Sequence, residues 1–390
     1  MLTPLLLAAA LALAPDTVEF AGPPGSGKPS LAVGRDGRVI LTWLEPTTAE
    51  RYALRYAVRT SGRWSAPATI RESDRFFVNW ADFPSLVETR DGQWVAHWLE
   101  KTAAKPYAYH VMLMVSRDQG RSWGKPFPAH RDQSDTEHGF VSMVPHPEGG
   151  ADISWLDGRN MGGESRGDMT VRTTRLRADG TLGEERELDA RSCECCQTRI
   201  ARTSTGLVAA WRDRSATEVR DIAVSWERDG RWSTPTVPVA DGWEHRACPV
   251  NGPALVADGQ RVSLVWYTGV NDQPRVYLAQ STDGGRTFGA RARVDEGATL
   301  GRVDAVSLGG GRTLIAYLES LSNERAAWRI RVAGADGRLS TPRTVTTVGR
   351  ARLSGFPRMA WSGREALVAV TASGAEGGVR VHRVTVPAGR

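Results

Sequence analysis

Lysine is almost absent from this chain: of its 50 cationic side chains in 390 residues, 46 are arginine, and they are scattered along the sequence. The basic stripe and recognisable module that mark a nucleic-acid binder are both missing, which sets that class of partner aside despite a formal net charge of +6. Long apolar runs are missing beyond residue 14, so no transmembrane helix is expected. No 3.6-residue apolar period appears either, which argues against a helical fold. Cysteine is scarce and confined, with all four between positions 193 and 248, and none follows the first apolar run to act as a lipid anchor.

What the chain does contain begins with that run. Residues 2 to 14, "LTPLLLAAALALA", end in an Ala-x-Ala pattern and read as the hydrophobic region and cleavage site of a secretory signal. The expectation is a signal peptide over 1–15, a single domain over 16–390, and export to the periplasm or the medium. The 41% hydrophobic content is ordinary for a soluble globular domain of that length. A second short stretch, "GPPGSGKPS" (Gly22 to Ser30), resembles a phosphate-binding loop, but Pro29 stands where a Ser or Thr must bind Mg²⁺ and no helix pattern follows. Pro29 is expected to open a strand instead.

The chain repeats. A short strand ending in an aromatic recurs as "VILTWLE", "WVAHWLE", "ADISWLDGR", "LVAAWRDR", "VSLVWYT" and "TLIAYLE". Taking Trp43, Trp98, Trp155, Trp211, Trp266 and Tyr317 as anchors, the intervals are 55, 57, 56, 55 and 51 residues. Such regularity means one supersecondary unit copied in series. Each copy shows another short strand before the anchor, an alternating strand after it, and a last strand opening with Trp or Phe. Four strands per unit indicate an all-β propeller, because a lone four-stranded sheet cannot bury both faces and must stack around an axis. Seven blades are expected, with six as the alternative. The seventh copy, Phe356 to Pro387, has only three strands, and residues 16 to 20, "DTVEF", are expected to complete it and close the ring.

Two hairpins narrow the family. "SRDQGRSW" (Ser116 to Trp123) and "STDGGRTF" (Ser281 to Phe288) fit the Ser-x-Asp-x-Gly-x-Thr-Trp/Phe pattern of the Asp-box, the BNR repeat signature of sialidase-like propellers. The chain resembles that superfamily over nearly its whole expected mature length. Asp118 and Asp283 can accept backbone N–H bonds in the turn, Gly120 and Gly285 can supply a positive φ, and Trp123 and Phe288 can anchor the outer strand. The resemblance implies that these boxes are structural and lie on the face opposite the active site. It also implies, for catalytic members, an Arg-Ile-Pro motif, a triad of arginines, a Tyr nucleophile paired with Glu, and an Asp acid/base. The first unit reads "GKPSLAV" where that motif is expected. Tyr267, ending the second strand of its unit, is the candidate nucleophile.

The face opposite the boxes carries the loop entering each first strand and the loop leaving each second strand. Two residues beyond the anchor the side chain is acidic in five of six units: Glu45, Glu100, Asp157, Asp213 and Glu319, with Thr268 the exception. Either these form a solvated rim, or they line a ligand pocket at the channel mouth. On the pocket reading Glu100, Asp157, Arg159, Asp213, Arg214 and Tyr267 are the candidates for glycoside hydrolysis, which uses paired carboxylates.

The cysteines belong to the same face. Cys193 and Cys248 each precede an anchor by eighteen residues, hence sit in equivalent places of adjacent blades, with Cys195 and Cys196 just beyond the first. His138 occupies the matching segment of the preceding unit, and His245 precedes Cys248 by three. In an exported protein two disulfides are one expectation, Cys248 pairing with Cys193 or a neighbour. If Cys193 takes Cys248, the remaining Cys195 and Cys196 are adjacent and their bridge strained. The other expectation is a copper or zinc site built from thiolates with His138 or His245. Three functions stay open: a propeller binding a small molecule, glycan or soft metal at the channel mouth; an exo-sialidase or other glycoside hydrolase; and a structural or protein-interaction propeller stapled by disulfides.

Overall fold

The computed structural model describes residues 17–162, 167–374 and 377–386. It is a seven-bladed propeller of four-stranded antiparallel sheets, the first of which has its outer strand split in two. The innermost strands run from Gly27–Val33 in the first blade to Arg358–Trp361 in the seventh. Pro29 lies in the first of them, so the phosphate-loop lookalike is a turn that runs into strand at Gly27. The expected signal peptide falls on residues outside those described.

The ring closes as the sequence suggests. Thr17–Ala21 pairs antiparallel with Val379–Val384 and supplies the fourth strand of the seventh blade. Arg59 of the first blade clamps the joint, its guanidinium 2.7 Å from Glu19 on the closing strand and 2.8 Å from Glu365 on the seventh blade. Pairing the chain's two ends covers the edge that Val379–Val384 would otherwise present.

The repeated aromatic has a packing cause. All six anchors are essentially inaccessible to solvent, and each is driven against the blade before its own. Trp43 packs on Leu367, Ala369 and Val381 of the seventh blade, Trp155 on Val95, Leu99 and Val111 of the second, and Trp266 on Val208 and Ala210 of the fourth. At six of the seven interfaces one aromatic ring, five indoles and the Tyr317 phenol, fills the gap between twisted sheets, and truncating such a side chain to alanine costs about 3–5 kcal/mol.

The two hairpins Ser116–Trp123 and Ser281–Phe288 make matching hydrogen bonds. In the first, Gly120 N donates to Ser116 Oγ (2.7 Å) and Ser122 N and Oγ donate to Asp118 (2.8 and 2.6 Å). In the second, Gly285 N donates to Ser281 Oγ (2.9 Å) and Thr287 N and Oγ1 donate to Asp283 (3.0 and 2.6 Å). Gly120 and Gly285 share a φ of +88°, and the bonds hold both carboxylates down to about 2. Both hairpins connect third to fourth strands, away from the loops that enter the innermost strands.

Candidate active-site cleft

The loops that enter innermost strands and leave second strands meet on the other face, where they enclose a cleft of about 750 Å³. Its walls come from five of the seven blades: Trp80 before the second blade, Tyr107 and Tyr109 within it, Glu137 before the third, the Cys195–Cys248 disulfide between the fourth and fifth, and Arg352 before the seventh. Tyr107 stands 64% exposed at the rim and Leu353, next to Arg352, 75% exposed.

The floor is built by two neighbouring segments. Tyr109 opens the third strand of blade two, Tyr109–Ser116, and Glu137 directly precedes the innermost strand of blade three, His138–Pro145. Their backbones bridge in parallel, with Tyr109 N donating to Thr136 O at 3.2 Å. The Tyr109 ring and the Glu137 carboxyl both line the floor of the cleft and act on each other electrostatically. The Tyr109 ring stacks on Phe77 at 3.9 Å and is only 2% exposed. Burial pushes Glu137 up to about 8, with the nearby Glu194 and Asp82 carboxylates adding to the effect. Tyr109 is likewise raised well above its ordinary value by burial and by Glu137. Beneath them burial lifts Asp82 to about 7, although its carboxylate accepts Phe140 N at 2.6 Å.

Tight backbone packing supports the floor. A Cβ on Gly139 would stand 2.2 Å from Asp82 Oδ2 and 3.1 Å from the Tyr109 ring, so any larger residue there would displace Asp82. Phe140 and Val250, both on the cleft wall, hold φ of +54° and +48°, a region costly for a bulky or β-branched residue. Gln197 ties three loops together, donating to Ala81 O (2.7 Å) and accepting from Gly252 N (2.9 Å).

The cysteines take the disulfide alternative. Cys195 pairs with Cys248, stapling the loops of adjacent blades, and Cys193 pairs with Cys196. The strained adjacent bridge expected for the remaining pair is avoided because the turn at 193–196 brings those two Cα atoms to 5.8 Å, inside the ordinary disulfide range. Among the described residues no cysteine is free, so the thiolate donor set expected for copper or zinc is not what this structure holds. Neither histidine joins the sulfurs: His245 stacks on Trp243 at 4.8 Å, and His138 stacks on His130 at 3.9 Å.

The acidic positions beyond the anchors are mostly caps for the anchors themselves. Trp43, Trp98 and Trp155 donate their indole N–H to Glu45 (3.2 Å), Glu100 (3.0 Å) and Asp157 (2.8 Å). Trp211 turns instead to Asp189 (2.7 Å), while Asp213 accepts Arg214 N at 2.7 Å and is lifted to about 6 by burial and by Asp189. At Thr268 the anchor turns elsewhere, Trp266 donating its indole N–H to Asp241 at 2.6 Å. Arg159 is held by Asp157 and Glu185, Arg214 by Glu218 and Glu194, and Glu319 by Arg329. Tyr267 packs its ring on Trp243 and its carbonyl on Arg212. None of Glu100, Asp157, Arg159, Asp213, Arg214 or Tyr267 lines the cleft. Tyr109 and Glu137 had weak signals: Glu137 stands beside His138 in a segment that the repeat places on this face, whereas Tyr109 reads as an ordinary strand opening.

No family model and no curated protein matches this chain. Solved structures do. An ulvan lyase of polysaccharide lyase family PL25 aligns with 94% of this chain and 95% of its own, at 11% identity and a TM-score of 0.60. A protein of unknown function from Dyadobacter fermentans covers 95% and 97% at 15% identity and 0.55. The NanB sialidase of Streptococcus pneumoniae covers 89% and 83% at 9% identity and 0.50. At these identities the likeness is one of fold: the chain shares its propeller with sialidases and polysaccharide lyases.

Proposed function

We propose that this protein is an exported carbohydrate-active propeller that binds a glycan in the 750 Å³ cleft and cleaves it there. The observation that carries the reading is the Tyr109–Glu137 pair at the floor of the cleft, with a second carboxylate, Glu194, within electrostatic reach. Cleavage of a glycosidic bond uses one group to protonate the leaving oxygen and a second to act on the sugar ring. Glu137 takes the first role, with Tyr109 beside it, and Glu194 takes the second. Trp80 and Tyr107 offer ring faces to a sugar, and Lys105 and Arg352 offer cationic groups to an acidic one. Sialidases and polysaccharide lyases built on the same fold supply the substrate class to test. Two disulfides favour an oxidising compartment, in keeping with the leader read at residues 2–14.

The test is a screen of fluorogenic sialosides, arabinans and uronate-containing polysaccharides, read both by new reducing ends and by ultraviolet absorbance of unsaturated products. Cleavage of one class, lost in Glu137→Gln, is the expected result. A folded protein that cleaves none of them and whose unfolding temperature no glycan shifts would overturn the proposal in favour of a stapled scaffold.

A further inference from the structure

Three histidines outside the cleft converge on one point between blades two and three. His110 follows Tyr109 in its strand, His130 lies just past the outer strand of blade two, and His138 opens the innermost strand of blade three. One nitrogen from each lies within 4.8 Å of the others. The His130 and His138 rings stack at 3.9 Å with 8° between planes, and His110 meets them edge-on at 4.7 and 5.1 Å.

The backbone fixes which nitrogens are free. His130 Nδ1 faces Asp132 O at 3.2 Å, and His138 Nδ1 faces Thr136 O at 3.2 Å and Tyr109 O at 3.3 Å. His110 Nε2 faces Ser134 O at 3.1 Å. A carbonyl only accepts, so each of these nitrogens carries the ring proton and the other keeps a lone pair. The Nε2 atoms of His130 and His138 are buried and make no hydrogen bond. Yet His138 Nε2 stands 2.9 Å from Asp132 Oδ2 and 3.6 Å from Asp157 Oδ1. Two buried imidazole nitrogens with no hydrogen-bond partner, set beside the Asp132 carboxylate, form a donor set that a cation can fill.

We propose that His110, His130, His138 and Asp132 form a zinc site of three imidazoles and one carboxylate, separate from the disulfides. Borderline-soft nitrogen donors with one oxygen, in an enclosed setting, suit tetrahedral Zn²⁺, and carbonyls holding the far ring nitrogens are the usual support of such ligands. Asp157 stays committed to Trp155 and Arg159. The ion would join the segments that carry Tyr109 and Glu137, because alternation along a strand turns neighbours to opposite sides. The site stands whether or not the cleft cleaves glycans.

The experiment is elemental analysis of the full chain purified without chelator, followed by chelator treatment, zinc titration monitored by thermal unfolding, and X-ray absorption at the zinc edge. The account expects about one zinc per chain, a raised unfolding temperature on zinc addition, and a shell of nitrogen and oxygen near 2.0 Å. His110→Ala and Asp132→Ala should lose the metal and the thermal response, and Cys195→Ser/Cys248→Ser should keep both. If a variant fails to fold, the wild-type stoichiometry and shell decide alone. Zinc-treated wild type that holds no stoichiometric metal and shows no thermal shift, or a shell with sulfur near 2.3 Å, would overturn the proposal.

Discussion

At the scale of single residues, the indole caps explain a pattern that composition leaves ambiguous. The acidic side chain two positions past an anchor satisfies that anchor's N–H in three blades, and where it is replaced by Thr268 or points elsewhere, as at Asp213, another aspartate takes over. Removing such an acceptor strands a buried donor, so Asp241→Ala should destabilise by roughly 1–3 kcal/mol in denaturant unfolding. Tyr317 gives the contrast, since its buried hydroxyl has no partner. Tyr317→Phe should be neutral or slightly stabilising, and a loss as large as that of Asp241→Ala would show the capping account to be wrong. Asp82 adds a pH signature. Its folded value of about 7 exceeds the ordinary 3.8, so between these values the folded state keeps a proton that the unfolded chain has released. Stability from this group therefore falls as pH rises from about 4 to 7, by on the order of a few kcal/mol. Asp82→Asn keeps the acceptor for Phe140 N and should flatten that decline; parallel melting curves for the two proteins from pH 5 to 8 would refute it.

At the scale of elements, the strands were legible and the loops were not. Six anchors at near-constant spacing announce the blades, because six of the seven interfaces place one large aromatic side chain at the same point. The closing strand could be foreseen from the deficit in the last copy. The convergence of cysteines on one face also followed from repeat position, but their pairing did not, since it depends on how tightly the turn at 193–196 folds. The same holds for the histidines: His138 could be placed on the right face, whereas its partners His110 and His130 lie in a strand and a connection whose approach is set by the third dimension. The two bridges should differ in effect. Cys195–Cys248 spans 53 residues and Cys193–Cys196 only three. Closing the longer loop restricts the unfolded chain more, so Cys195→Ser/Cys248→Ser should lower stability by about 2–5 kcal/mol and Cys193→Ser/Cys196→Ser by less. Equal losses in thermal unfolding would contradict that ordering.

At the scale of the whole molecule, a propeller separates architecture from chemistry. The Asp118 and Asp283 hairpins sit between outer strands, while loops from five blades gather on the other side around Tyr109, Glu137 and the stapled turn. Among the described residues no helix is long and apolar enough to cross a membrane. The central claim is that this gathered face breaks glycosidic bonds through Glu137 and Tyr109. Its most direct test is to measure glycan binding and turnover separately, for wild type and Glu137→Gln, on whichever substrate class the screen identifies. The account predicts that the variant binds within a few-fold of wild type but turns over slower by about 10²-fold or more, the range of a lost proton-transfer partner. Equal turnover in the two proteins would contradict it.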